Sequence, residues 1–217
     1  MSNMILIIGE SGTGKSTSIE SLDPKETFII QVVNKPLPFR GFKKSYPLQS
    51  KEKKGNRFVS NKWENILEIL KHLNKDISYK NIVIDDFQYI LSDEYMKRAM
   101  ERGFDKFTEM AQHYYDIIKY AQSLREDLNI IFLSHSERKD DGSTKVKTIG
   151  KLLDEKVTIE GLFTVVLNTK IEDGNYYFET QNNGFNTSKS PKGMFEEYKI
   201  HNDLKLVVDK VNEYYGG

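Results

Sequence analysis

The chain has 217 residues, and its 32 lysines and arginines balance 32 aspartates and glutamates, so the formal net charge is zero. This balance excludes a global electrostatic attraction to nucleic acid or membranes and leaves such binding to local patches. The lack of cysteine excludes disulfides, zinc–thiolate sites and thiol catalysis, and it favours a reducing compartment.

A chain of this length suffices for one α/β core, and we expect a single domain over residues 1–217. The first apolar run begins at Met4, which predicts that no signal peptide precedes it. No stretch approaches the roughly 18 apolar residues that a membrane span requires. We therefore expect a cytoplasmic protein without a membrane partner.

The first predicted element is an apolar strand over residues 4–8, and it leads directly into a phosphate-binding loop. Residues 9–16 read Gly-Glu-Ser-Gly-Thr-Gly-Lys-Ser, which fits the pattern G-x-x-x-x-G-K-[ST]. Glycines let backbone N–H groups approach a triphosphate, Lys15 supplies a charge to the β- and γ-phosphates, and Ser16 offers a hydroxyl to Mg²⁺. A glycine-rich turn that contains lysine by chance is the alternative. The predicted nucleotide-binding residues are Gly9, Glu10, Ser11, Gly12, Thr13, Gly14, Lys15, Ser16 and Thr17.

Short apolar runs then alternate with helical stretches along the chain. Further strands are predicted over 27–33, 81–85, 129–134 and 163–167, and helices over 15–22, 62–74, 87–100, 107–127 and 203–215. A turn at Asp173 and Gly174 before residues 176–179 indicates a β-hairpin. This order predicts an α/β fold with a mainly parallel central sheet, flanking helices and a C-terminal β-hairpin.

The strand over 81–85 ends in two carboxylates, Asp85 and Asp86, as a Walker B segment does. At the carboxyl edge of a parallel sheet, we expect Asp85 to lie beside the phosphate-binding loop and to hold Mg²⁺ with Ser16, through water. Asp86 is a candidate to orient or deprotonate the attacking water. The alternative is that Asp86 caps the helix predicted from residue 87.

The strand over 129–134 is followed by His135, a candidate sensor of the γ-phosphate. A hydrogen bond gained or lost at this edge of the sheet moves the loop that follows. A structural or simply exposed histidine is the alternative. With Lys15, Asp85 and Asp86, His135 completes the predicted catalytic set.

Two segments, 39–58 and 137–148, are candidate contacts for nucleic acid. The first interleaves basic and aromatic residues, the combination that phosphate contact and base stacking require, and the second is a polar linker with three lysines. Solvated surface loops are the alternative for both. The predicted DNA-binding residues are Arg40, Lys43, Lys44, Lys51, Lys53, Lys54, Arg57, Lys139, Lys145 and Lys147.

These motifs together resemble a known family. From Met4 to Tyr215 the chain is similar to the phage-encoded RecA-like nucleotide-binding proteins, which are AAA-type ATPases and include single-strand annealing recombinases. The more specific pieces are residues 34–39, 148–154 and 189–195, and residues 200–204 also match. The resemblance implies a RecA-like P-loop NTPase that hydrolyses ATP with Mg²⁺ as a homo-oligomer on single-stranded DNA. It further implies a role in phage recombination or replication inside the bacterial host, with a single-strand-binding protein as a further partner.

In such oligomers a basic residue often reaches the γ-phosphate of the neighbouring subunit, and Lys151 and Lys189 are the positions nominated here. A plain surface lysine is the alternative for each. The chain departs from RecA proteins in one respect, because they carry a catalytic glutamate just after the second strand, where this chain reads Gln31-Val-Val-Asn34. Either Asp86 replaces that glutamate, or turnover is slow and ATP acts mainly as a switch.

Two other functions stay open. A P-loop kinase of a nucleotide or other small molecule needs lid arginines, for which Arg98, Arg102 and Arg138 are the candidates. The second open function is a nucleotide-gated interaction protein that hydrolyses little ATP. ATP is favoured over GTP, because residues 34–37 lack the aspartate of a guanine-reading motif and precede the Walker B strand.

Overall fold

The computed structural model describes residues 1–50 and 52–216, so Lys51 lies outside the described residues. Within them, nine strands form one sheet system. The strands are β1 (Asn3–Gly9), β2 (Thr27–Gln31), β3 (Arg57–Val59), β4 (Asn81–Asp85), β5 (Asn129–Arg138), β6 (Thr144–Val146), β7 (Val165–Glu172), β8 (Asn175–Glu179) and β9 (Lys199–His201).

The strand order is β3-β2-β4-β5-β1-β7-β8-β9, with β6 paired to β5. The first six strands in this order run parallel, whereas β8 and β9 are antiparallel additions at one edge. In the register of the central strands, Gly9 lies opposite His135, and Gln31 lies opposite Asp85. The carboxyl ends of β1, β2 and β4 therefore meet His135 of β5 at one edge of the sheet.

Apolar clusters cover both faces of this sheet. The helices are α1 (Phe42–Ser45), α2 (Trp63–Leu73), α3 (Tyr89–Lys97), α4 (Asp105–Gln122) and α5 (Leu204–Gly216). One cluster includes the buried sides of α2 and α4, and the other includes the buried side of α5. Since helices cover both faces, the central strands read as nearly continuous apolar runs. The mainly parallel sheet, its flanking helices and its C-terminal hairpin confirm the predicted α/β fold.

The helix predicted over 15–22 is wrong. Its place is taken by a short 3₁₀ helix, Thr17–Ser21. Two hydroxyls compete for the backbone there: Ser18 Oγ donates to the Lys15 carbonyl (2.6 Å), and Ser21 Oγ donates to the Ser18 carbonyl (3.0 Å). Such local hydrogen bonds weaken a regular α-helix.

The polar linker predicted over 137–148 is also wrong, because most of it is a β-hairpin. Strand β5 continues to Arg138, and its last three residues pair antiparallel with β6. Gly142 adopts a φ of +82° in the turn, where Lys139 donates its N–H to the Ser143 carbonyl (2.8 Å). The prediction failed because the strand loses its apolar character after Leu133 while its backbone pairing continues.

Candidate functional site

The phosphate-binding loop follows β1 and closes around its own lysine. Lys15 Nζ donates to the carbonyls of Gly9 (2.8 Å) and Glu10 (2.7 Å). Thr169 on β7 donates its hydroxyl to Thr13 Oγ1 (2.6 Å), and a side chain at Gly9 would collide with Thr169. Burial lowers the pKa of Lys15 to about 8, although the nearby charges of Asp86 and Asp85 oppose this shift. The loop thus holds a buried cation against the carboxyl edge of the sheet.

Asp85 lies beside the loop, as its place at the end of β4 predicts. Ser16 Oγ donates to Asp85 Oδ1 (2.7 Å), while Asp85 Oδ2 is buried and has no hydrogen-bond partner among the described residues. Burial and the charge of Asp86 raise the pKa of Asp85 to about 6. A hydroxyl next to a carboxylate oxygen without a partner is a donor set that fits Mg²⁺.

Asp86 turns sharply out of β4 and lies between two basic side chains. Its φ is +63°, a left-handed conformation that aspartate adopts more readily than most residues. Lys35 Nζ lies 2.5 Å from Oδ2, and His135 Nε2 lies 3.7 Å from Oδ1. Burial pushes the pKa of Asp86 upward, but the adjacent basic side chains of His135 and Lys35 outweigh it, so the pKa lies below its usual value.

The alternative of Asp86 as a helix cap is not what the structure shows. Helix α3 begins at Tyr89, and the Asp86 carboxylate faces Lys35 and His135 instead. Lys35 was missed at this site because nothing local in the sequence marks it. Its position four residues beyond Gln31, which pairs with Asp85, brings it to Asp86 only through the order of strands in the sheet.

His135 joins the site to both the start of α3 and the hairpin. Its backbone N–H donates to Gln88 Oε1 (3.0 Å), and its ring meets Tyr89 edge to face at 5.9 Å. Its carbonyl accepts a hydrogen bond from the N–H of Lys147 (2.8 Å), the residue that follows β6. A change at Asp86 would therefore act on a residue whose backbone is part of β5.

The two nominated fingers lie elsewhere. Lys151 is exposed just before a π-helical turn, Leu152–Lys156. Lys189 is half-buried, and its backbone exchanges two 2.8 Å hydrogen bonds with Val166 on β7. Burial lowers the pKa of Lys189, with Glu160 opposing the shift. Among the described residues, neither lysine forms a hydrogen bond or ion pair with the phosphate-binding loop of its own chain.

The aromatic residues of segment 39–58 face inward. Phe39 packs edge to face on Phe42 (6.4 Å) and on Tyr46 (6.2 Å), and the Tyr46 hydroxyl donates to the Leu22 carbonyl. Arg57 lies over Phe42 and donates to the Tyr46 carbonyl and to Gln31. Arg57 and the rings therefore pack within the chain, and DNA contact by this segment stays a prediction that depends on its exposed basic residues. The exposed basic residues of this segment are Arg40, Lys43, Lys44, Lys53 and Lys54.

In the β5–β6 hairpin, two of the three predicted lysines are exposed. Lys139 lies at the turn and Lys147 follows β6. Lys145 is instead ion-paired with Glu137 (3.1 Å) and with Asp154, so its charge is already compensated.

The family to which the chain is similar agrees with this geometry. Residues 1–192 match the AAA_24 family, which is described as an AAA domain. The match spans most of the chain, so the protein belongs to this family and is a P-loop ATPase domain. No curated protein matches the chain. A KaiC-like protein from the archaeon Pyrococcus horikoshii OT3 is a similar solved structure, with 14% identity, a TM-score of 0.45, and coverage of 81% of this chain and 76% of that one.

One finding bears on membranes. Among the described residues, no helix combines the length and apolar character that crossing a bilayer demands.

Proposed function

We propose that this ATPase hydrolyses ATP in a manner coupled to single-stranded DNA. In this proposal, the loop over residues 9–17 binds the phosphates, and Lys15 exchanges its two carbonyl partners for the β- and γ-phosphates. Ser16 and Asp85 would hold Mg²⁺, which neutralises charge on the phosphates when bound.

Asp86 is the residue proposed to orient the attacking water and accept its proton. Its carboxylate is buried, its pKa lies below the usual value, and one oxygen faces His135. A carboxylate that stays ionised accepts a hydrogen bond from water and then a proton. Lys35 holds the other oxygen, which fixes the direction of the carboxylate. Asp86 would in this way replace the glutamate that RecA proteins carry after their second strand.

The continuity of β5 is the observation that carries the coupling. One unbroken strand, Asn129–Arg138, runs from the centre of the sheet past His135 into the β5–β6 hairpin. A hydrogen bond made or lost at His135 would therefore be transmitted to Lys139 and Lys147 through the strand backbone. Exposed lysines at the turn (Lys139) and at the base (Lys147) of this hairpin fit the phosphates of a single strand.

The remaining expectations follow from the family resemblance. We propose a homo-oligomer in which the exposed Lys151 is the better-placed finger, because Lys189 is half-buried and tied to β7. A role in phage recombination or replication, with a single-strand-binding protein as partner, belongs to the same proposal.

The kinase alternative has less support. Arg98, one of its candidate lid arginines, is bound by Glu94 on α3, by Glu101 between the helices and by Glu109 on α4. A lid arginine has to be free to close over the phosphates.

The test is the steady-state rate of ATP hydrolysis with and without single-stranded DNA, at low and at high salt. We expect DNA to raise the rate and high salt to remove the effect, because phosphate contacts release counterions. A substantial rate that ignores DNA would overturn the coupling and leave an ATPase with another trigger. Phosphate transfer from ATP to a small-molecule acceptor would favour the kinase.

A further inference from the structure

A tyrosine and an asparagine lie directly against the phosphate-binding loop and play no part in the mechanism above. Gly14 has a φ of +92°, and a Cβ added there would lie 3.0 Å from Tyr176 Cδ1 and 3.1 Å from both Nδ2 and Oδ1 of Asn202. The tyrosine ring and the asparagine amide therefore pack on Gly14, next to Lys15. Both residues come from the C-terminal part of the chain.

The amide of Asn202 is unsatisfied. Its Nδ2 is buried and has no hydrogen-bond partner among the described residues. Leaving a buried donor without a partner costs free energy, so such a group usually points to a ligand or to strain. The backbone around it is well held: the Asn202 N–H donates to the Tyr176 carbonyl (3.2 Å), and the Lys205 N–H donates to Ser21 Oγ (3.1 Å).

Tyr176 belongs to an exposed apolar surface that continues from the loop. It lies opposite Ile171 in the β7–β8 register, and the two side chains are 45% and 43% exposed. Ile171 is two residues from Thr169, so both side chains share one face of β7. Since Thr169 bonds to Thr13 in the loop, this face leads from the phosphate-binding loop to the tyrosine ring.

We propose that Tyr176 and Asn202 bind the base of the nucleotide whose phosphates lie in the loop, and that Asn202 selects adenine. This inference rests on the proposed nucleotide site. An exposed aromatic ring offers a stacking surface for any base. An asparagine amide presents a donor beside an acceptor, which matches the N6 amino group and N7 of adenine. Guanine presents two acceptors, O6 and N7, at the same edge, so the asparagine oxygen would meet another acceptor.

Binding of the phosphates makes the amide available. Lys15 Nζ has to leave the carbonyls of Gly9 and Glu10 in order to reach the phosphates. Since the Asn202 amide packs against Gly14, which adjoins Lys15, we expect that change to shift Gly14 and to free the amide. The base contact therefore forms together with the phosphate contact, and inorganic tripolyphosphate should engage the loop without needing Asn202.

The experiment measures the affinity of the full chain for three ligands in the presence of Mg²⁺: ATP, GTP and inorganic tripolyphosphate. The variants are Asn202→Ala and Asn202→Asp, which remove or change the amide, and Tyr176→Ala and Tyr176→Phe, which remove or keep the ring. Asn212→Ala, an exposed asparagine on α5, is the matched control.

We expect Asn202→Ala and Asn202→Asp to weaken ATP about tenfold and to reduce the preference for ATP over GTP. Tyr176→Ala should lower the affinity for ATP and for GTP alike by about tenfold, and Tyr176→Phe should keep both affinities. Tripolyphosphate should bind equally to all variants. Binding of tripolyphosphate therefore shows that each variant is folded.

The proposal is overturned if wild-type protein binds ATP and GTP equally, or if both Asn202 variants keep the preference. An equal loss of affinity for tripolyphosphate in these variants would also overturn it, because the residues would then only support the structure of the loop. If the wild-type chain binds neither ATP nor tripolyphosphate, it is the proposed nucleotide function that fails.

Discussion

The two basic segments of this chain, 39–58 and 137–148, are both rich in lysine but differ in structure. Segment 39–58 uses its aromatic rings and Arg57 internally, and its remaining lysines lie on the surface next to an edge of the sheet. The β5–β6 hairpin has fewer free lysines, yet it extends the strand that carries His135. This difference predicts that direct extension of the strand that carries His135, rather than the number of basic residues, makes a surface respond to bound nucleotide.

Lys15→Ala tests whether DNA binding depends on bound nucleotide. Lys15→Ala removes the buried cation of the loop, and we expect ATP affinity to fall by about a hundredfold or more, since charge-assisted phosphate contacts are lost. Any dependence of DNA affinity on ATP should disappear with it. Calorimetric titration of ATP and a DNA-binding curve measure both effects. Lys25→Ala, at an exposed lysine, is the control, and unchanged ATP affinity in Lys15→Ala would contradict the site itself.

Asp86→Asn separates binding from hydrolysis. The change removes the proposed proton acceptor but keeps the size of the side chain, so we expect the turnover rate to fall about a hundredfold while ATP still binds. DNA affinity in the presence of ATP should persist, because the hairpin responds to the bound nucleotide. Steady-state kinetics measure the rate, with Asp209→Asn as an exposed control. A normal rate in Asp86→Asn would remove Asp86 from the mechanism.

Arg57→Ala tests whether segment 39–58 is structural. The variant loses hydrogen bonds to the Tyr46 carbonyl and to Gln31, so we expect the free energy of unfolding to fall by about 2 kcal/mol. Chemical denaturation measures this loss. The salt dependence of DNA binding by the folded variant should stay the same. A lower salt slope without a loss of stability would instead make Arg57 a phosphate contact.

How much of this was predictable depends on the range of the interactions. The central strands and the phosphate-binding loop follow from local patterns, because buried parallel strands need long apolar runs and the loop needs its glycines. Lys35 at Asp86 and Asn202 at Gly14 join residues that are distant in the chain, and the strand order alone brings them together. The inward rings of segment 39–58 were missed for the same reason, since composition does not tell which way a ring faces.

The most direct test of the coupling compares charge reversals in the two segments. The double variant Lys139→Glu/Lys147→Glu changes the hairpin, and Lys43→Glu/Lys44→Glu changes the first segment by the same number of charges. Stimulation of ATP hydrolysis by single-stranded DNA is measured for both over a range of salt concentrations. We predict that the hairpin variant loses the stimulation, with a salt slope of DNA binding reduced by about 1.4, while its rate without DNA is kept. Full stimulation in the hairpin variant, or its loss only in the Lys43→Glu/Lys44→Glu variant, would contradict the account.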